Sequence, residues 1–186
     1  MSRFLLIAQD PAMVHVGLRT ITDTFARLAA KFMAAGADGI FLAATHTATR
    51  TNFTAEQYQE FGRPYDLEVL AAVRQAPFNC LHVCKPNSLV RELADYPVAL
   101  LNWDTADPAN PTLAQMAAGA TGKALVGGLD RRILTRPDGA QAARDQARQV
   151  VRSMQGKPFV LGANCAVETS STPEAIRAVR DFVNVQ

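Results

Sequence analysis

Apolar residues along this chain fall into two spacings. Between residues 11 and 35 they recur at Val14, Leu18, Ile21, Phe25, Leu28 and Phe32, three or four apart, which is the period of one helix face. Asp10 before Pro11 suits an N-cap followed by proline in the first turn, and Gly36 is placed to stop the helix. Beyond it, short continuous apolar runs alternate with helical stretches. GIFLAAT (39–45), CLHVC (80–84), PVALLNW (97–103), KALVGGL (123–129) and PFVLGANC (158–165) have the length and composition of strands. Between them the pattern predicts a helix capped by Thr54 and running to Phe61, then a restart at Pro64 with helical pattern from Asp66 to Arg74. It also predicts short helices at Ser88–Ala94 and Pro111–Ala118, a long helix from about Ala140 to Met154, and a closing helix opened by Thr172-Pro173-Glu174. The first residues, SRFLLIAQ, suit either a strand or an extension of the first helix.

Strands that alternate with helices, and that are apolar runs rather than in-out alternations, predict a parallel sheet covered by helices. Five clear strands fit an open doubly wound sheet or part of a (β/α) barrel. No G-x-G-x-x-G follows the first strand and no Walker A sequence occurs, so nucleotide binding has no motif behind it. The Gly127-Gly128 pair is too little for a phosphate loop and suits a turn or a close backbone approach.

At 186 residues there is room for one domain with a core and little for two. A net charge of +2, with the basic residues scattered, argues against a nucleic-acid partner. No apolar run reaches the roughly 18 residues of a membrane span, and the N-terminus lacks a secretory signal, so a cytoplasmic location is expected. In a reducing compartment three cysteines, an odd number, are free thiols, metal ligands or small buried residues rather than a disulfide framework.

The stretch FNCLHVCKPN (78–87) carries the candidate chemistry. Residues i and i+2 of a strand share a face, so His82 and Cys84 project together, with Cys80 one layer deeper. Cys165 ends the last strand, at the sheet edge where parallel α/β proteins place their sites. One nitrogen and two sulfurs with an open fourth position match a catalytic zinc. The same residues also suit the bland alternative, small buried cysteines and a hydrogen-bonded core histidine. Other polar groups end strands: His46 beside Thr45, Asp104, Asp130, and Asn164 and Glu168 flanking Cys165. His46 is the best extra ligand or proton carrier. Asp104 and Asp130, each taken alone, suit turn caps better than catalysis.

AAGADGIFLAAT, YQEFGRPYDLEVL, LHVCKPN, ADYPVALLNWD, GKALVGGLDRRIL and VLGANCAVETSSTPEAIRAV occur in an order that resembles the C-terminal half of the uroporphyrinogen decarboxylase superfamily. The resemblance runs across nearly the whole chain and is closest to the zinc-dependent methyltransferases that act with methylated corrinoid proteins. It implies a parallel (β/α) barrel of the TIM type. Residues 1–186 would form a single partial domain of about five βα units, with no counterpart of the N-terminal half. Such an arc leaves two unpaired edges and an apolar inner face, so self-association into a homo-oligomer, or another chain that completes the barrel, is expected.

H-x-C with a distant cysteine is the zinc motif of the corrinoid-linked thiol methyltransferases in this superfamily, and it falls here on His82, Cys84 and Cys165. Lys85 stands where the family more usually has glycine; such a lysine suits either a side chain extended into solvent or a charge that stabilises nearby thiolates or an acidic substrate. The implied reaction takes a methyl group from a methylated corrinoid on a partner protein to a small-molecule thiol, which zinc acidifies at its open position so that the thiolate attacks. His46 and Asp104 are then the candidate catalytic groups, and Lys85, Asp130, Arg131, Asn164 and Glu168 the candidate pocket wall, with Glu168 able to rest at the open zinc position. The alternative within enzymes is uroporphyrinogen decarboxylase-like tetrapyrrole decarboxylation. That branch uses an arginine-bearing N-terminal segment and a histidine after the last strand, which this sequence lacks, leaving Arg131 and Arg132 to hold acidic groups. The alternative outside enzymes is a half-barrel that oligomerises or binds a ligand without catalysis.

Overall fold

The computed structural model describes residues 7, 9–119 and 121–184. Of the stretch SRFLLIAQ, residues 2–6 and 8 lie outside the described residues, while 7 and 9 are helical. The first long helix, α1 (Pro11–Ala34), starts as its sequence dictates: the Asp10 carboxylate accepts from Met13 N–H at 3.0 Å and Pro11 occupies the first turn. It is followed by β1 (Phe41–Ala43), α2 (Ala55–Phe61), α3 (Arg63–Ala71), β2 (Cys80–Val83), β3 (Leu100–Trp103), α4 (Leu113–Ala117), β4 (Ala124–Leu129), a 3₁₀ turn (Arg131–Thr135), α5 (Gly139–Ser153), β5 (Phe159–Ala163) and α6 (Pro173–Val183). Thr54 and Thr112 close reciprocal capping boxes with Gln57 and Gln115, which fixes the starts of α2 and α4.

The strands form one parallel sheet in the order β1-β2-β3-β4-β5. A doubly wound sheet reverses its order partway, whereas a barrel adds each strand beside the last. Strictly sequential order therefore assigns the sheet to an arc of a (β/α) barrel. Alternation along the strands separates its two faces. Leu81, Val83, Leu101, Trp103 and Leu125 point to the helices and form the main core with Tyr58, Leu70, Leu93 and Met154. The opposite face carries Cys80, His82 and Asn102, all buried, and at its flanks Phe41 and Val160, which are 59% and 48% exposed. Among the described residues, β1 and β5 end the sheet without a further partner strand.

One expectation needed correction. Residues Ser88–Ala94 are not a helix. Ser88 is taken up by an antiparallel bridge to Thr49, and residues 90–95 make turns before Pro97, with Leu93 N–H donating to Leu89 O and Tyr96 N–H to Leu93 O. The apolar stripe of α1 is half-buried at Val14 and Leu18 and open beyond them. Ile21, Phe25, Leu28 and Phe32 are exposed, and Ala29 is the residue that packs on Val69 and Val73. Polar contacts hold α1 to α3: His15 Nδ1 lies 2.6 Å from Tyr65 Oη and Arg19 pairs with Glu68.

Gly128 shows what the glycine pair is for. Its φ of +99° favours glycine, and a Cβ there would come within 2.6 Å of Val150 Cγ1 on α5. Close packing of β4 under α5 is thus the consequence of that residue. Among the described residues no helix is long and apolar enough to cross a membrane.

Candidate metal centre

His82 sits in the centre of β2, facing away from the helices, and pairs across the sheet with Asn102 of β3. Its Nδ1 is 2.5 Å from Asn102 Oδ1. The amide of Asn102 is itself oriented, because Nδ2 donates to Val126 O at 2.8 Å and to Ala163 O at 3.2 Å. Oδ1 therefore accepts, Nδ1 carries the hydrogen, and Nε2 presents a lone pair. That lone pair faces the ends of β2 and β5. Cys84, one residue beyond β2, brings its Sγ to 3.2 Å from Cys165 Sγ, two residues beyond β5, and Cys165 Sγ is 3.6 Å from His82 Nε2. The three donor atoms lie within 4.8 Å of one another, the one such His/Cys/Asp/Glu group among the described residues.

The electrostatics suit a cation. Burial is the main effect on His82 and lowers its proton affinity below the usual histidine range, opposed by the Asn102 hydrogen bond and by the charge of Asp104. A neutral imidazole is the form that binds metal. Burial likewise pushes the Cys84 thiol up to about 11, with the Cys165 thiol adding to the rise, while the Lys85 amide and charge oppose it. Cys80 is raised to about 12 by burial alone and directs its Sγ at Leu81 O, apart from the donor group. A thiol that is costly to ionise when buried becomes a thiolate readily beside a divalent cation.

The donor set fits zinc. Tetrahedral zinc, with Zn–S near 2.3 Å and Zn–N near 2.0 Å, separates its donors by about 3.5–3.8 Å. The His82–Cys165 separation of 3.6 Å falls in that range; the Cys84–Cys165 separation of 3.2 Å is somewhat tighter. Three protein ligands leave a fourth position for another molecule, as catalytic zinc sites do.

The remaining sequence-derived candidates divide into two groups. Lys85 and Asn164 adjoin the donors. Lys85 holds φ +87°, a region that favours glycine, and its carbonyl accepts from Asn110 Nδ2 at 3.1 Å. Asn164 is buried beside Cys165, its Oδ1 accepting from Gly128 N–H at 2.8 Å and Thr105 Oγ1 at 2.7 Å, while its Nδ2 has no partner among the described residues. The others are engaged locally. Asp104 closes a turn by accepting from Ala106 N–H, and Asp130 accepts from the amide and side chain of Arg132 at the start of the 3₁₀ turn. Arg131 and Glu168 form an ion pair with each other. His46, at φ +57°, is exposed after β1 and stands outside the donor group.

Sequence reasoning missed Asn102. The available signal was a lone asparagine inside the apolar run PVALLNW; only the register, His82 opposite Asn102, gives it a role. Asn102 is the kind of partner that fixes the tautomer and direction of a ligating histidine.

A family model described as uroporphyrinogen decarboxylase (URO-D) matches residues 2–185. No curated protein matches the sequence. Among solved structures, a methyltransferase from Methanosarcina mazei superposes with a TM-score of 0.70 at 17% identity, over 88% of this chain and 47% of its own. That likeness is one of fold, and the chain spans about half of that protein's length.

Proposed function

The chain belongs to the uroporphyrinogen decarboxylase family, and from that premise we propose that it moves a methyl group from a methylated corrinoid to a thiol at a zinc site made by His82, Cys84 and Cys165. One observation carries this: an imidazole nitrogen and two sulfurs, from residues far apart in sequence, converge within 4.8 Å. The solved neighbour, described as a methyltransferase, supports the reaction class.

Zinc, when bound there, would supply the positive charge that makes a substrate thiol a thiolate at neutral pH. The chain's own residues do the rest. Asn102 turns the His82 lone pair toward the two cysteines. Cys84 and Cys165 as thiolates would balance a dication, leaving the site without net charge until a further anion enters. The Lys85 amide and ammonium favour the ionised form of Cys84. Burial of His82 and Cys84 keeps water from competing with a thiol. Tetrapyrrole decarboxylation is less well supported, since Arg131 and Arg132 are engaged by Glu168 and Asp130 rather than free to hold carboxylates.

Metal content of protein purified without added metal tests the reading. About one zinc per chain is expected, and methylcobalamin with a small thiol should yield the methyl thioether. A chain that takes up no zinc even on reconstitution would sink the proposal.

A further inference from the structure

The Cys84–Cys165 contact carries a second chemistry that needs no metal. Two thiol sulfurs 3.2 Å apart are about 1 Å short of a disulfide. We infer that the pair is an oxidative modification site: in the metal-free chain a hydroperoxide converts Cys84 and Cys165 into an intramolecular disulfide. Its consequence, removal of both sulfur donors from the metal centre, rests on the zinc-site reading; the bond itself does not.

The structure assigns the order of events. Cys165 is partly exposed and Cys84 is buried, so the oxidant meets Cys165 first. Cys165 Sγ attacks the peroxide and the O–O bond breaks, giving a sulfenic acid at Cys165 and an alcohol, or water from hydrogen peroxide. Cys84 Sγ then attacks Cys165 Sγ; the S–O bond breaks, the sulfenic oxygen leaves as water with the Cys84 proton, and the S–S bond forms. Two thiols have lost two electrons and two protons, and the hydroperoxide has taken them. The resolving sulfur is in contact before the first step, so resolution is effectively unimolecular and should outrun both further oxidation of Cys165 and capture by another chain. Cys80 stays out of the exchange because it is buried and stands apart from the pair.

The experiment uses the full chain, stripped with a chelator and exposed to hydrogen peroxide, followed by thiol titration in denaturant, intact mass and a non-reducing peptide map. Three titratable thiols should fall to one, with loss of two hydrogens from the mass and a cross-linked peptide joining Cys84 to Cys165. A dithiol reductant should restore all three, and Cys80→Ala should form the same cross-link. In Cys84→Ser the Cys165 sulfenic acid should persist and be trapped by dimedone. Retention of all three thiols, accumulation of sulfinic acid at Cys165, or bonds between chains in the wild type would each overturn the inference, whatever the variant does. Zinc uptake before and after oxidation separates the two proposals. A chain that closes the bond but never bound zinc sinks the zinc site alone, and one that binds zinc but never closes the bond sinks the disulfide alone.

Discussion

Two buried polar clusters lie on opposite sides of the sheet, and they are built to different ends. On the helix side the phenols of Tyr58 and Tyr96 both donate to the same carboxylate oxygen of Asp66, while Arg63 lies over the Tyr96 ring and forks onto Asp95. Donors there meet acceptors, the phenols inside the molecule and Arg63 at its surface, where Asp95 is exposed. On the other side Asn102 is just as fully used, but His82 spends only Nδ1. Its Nε2 and the sulfurs of Cys84 and Cys165 are aimed at one another with no strong donor among them. Burial and perturbed titration are common to both clusters. What distinguishes a site from a brace is a set of lone pairs left converging on one point.

This contrast can be broken by substitution. The largest effect is expected at the sulfurs: Cys84→Ala or Cys165→Ala should take zinc from about one per chain to almost none with an unchanged far-UV spectrum, whereas Cys80→Ala should retain it. Next comes Asn102→Ala, which frees the His82 ring; zinc affinity against a competing chelator should fall by about 10–100-fold. An unchanged affinity there would mean that Asn102 only braces the sheet. On the helix side Tyr96→Phe should cost about 1–2 kcal/mol in urea unfolding while leaving zinc affinity as it was. If it weakened zinc binding as much as Asn102→Ala, the two clusters would be one network.

The smallest effect is a pH dependence. Burial holds Asp66 above the ordinary carboxylate value of 3.8, against the opposing pull of the two phenols and Arg63. The folded chain thus binds that proton more tightly than the unfolded chain does. The group's contribution to stability is fully present below the unfolded value and is lost as pH rises through the folded one. Asp66→Asn should flatten that part of the profile, measured by unfolding at several points between about pH 4 and 7; parallel profiles would show that Asp66 is not its source.

Much of the candidate site was legible because its donor residues obey local rules. His82 and Cys84 are two apart on an apolar strand, and Cys165 ends another, so strand geometry alone brought them to one edge. The parallel sheet was legible from apolar runs separated by capped helices, while the choice of a barrel arc over a doubly wound sheet rested on the family resemblance and is decided by the sequential strand order. Asn102 was not, because its meaning lies in a cross-strand register that no spacing along the chain encodes. The brace around Asp66 was hidden for the same reason: its members stand at 58, 63, 66, 95 and 96 and meet only when α2 and α3 fold over the turns after β2. Ser88–Ala94 misled because Ser88, the residue expected to open the helix, pairs with Thr49 and the residues after it form turns.

The positive φ angles at His46, Lys85 and Asn87 all fall just after β1 and β2. These loops are bolted together: Thr49 Oγ1 donates to Pro86 O, Arg50 N–H to Asn87 O, Leu89 N–H to Ala48 O, and Asn110 Nδ2 to Lys85 O. An unfavourable backbone held by so many ties acts as a pre-tensioned clip, and Cys84 is mounted on it. A metal bound as proposed would not have to order that loop, which would remove an entropic cost of binding. It also could not remould the loop to suit itself. On the proposed reading, a stiff seat of one nitrogen and two sulfurs would reject ions that demand six oxygens and admit soft ones that accept few ligands, so metal selectivity would begin in the backbone of residues outside the donor set.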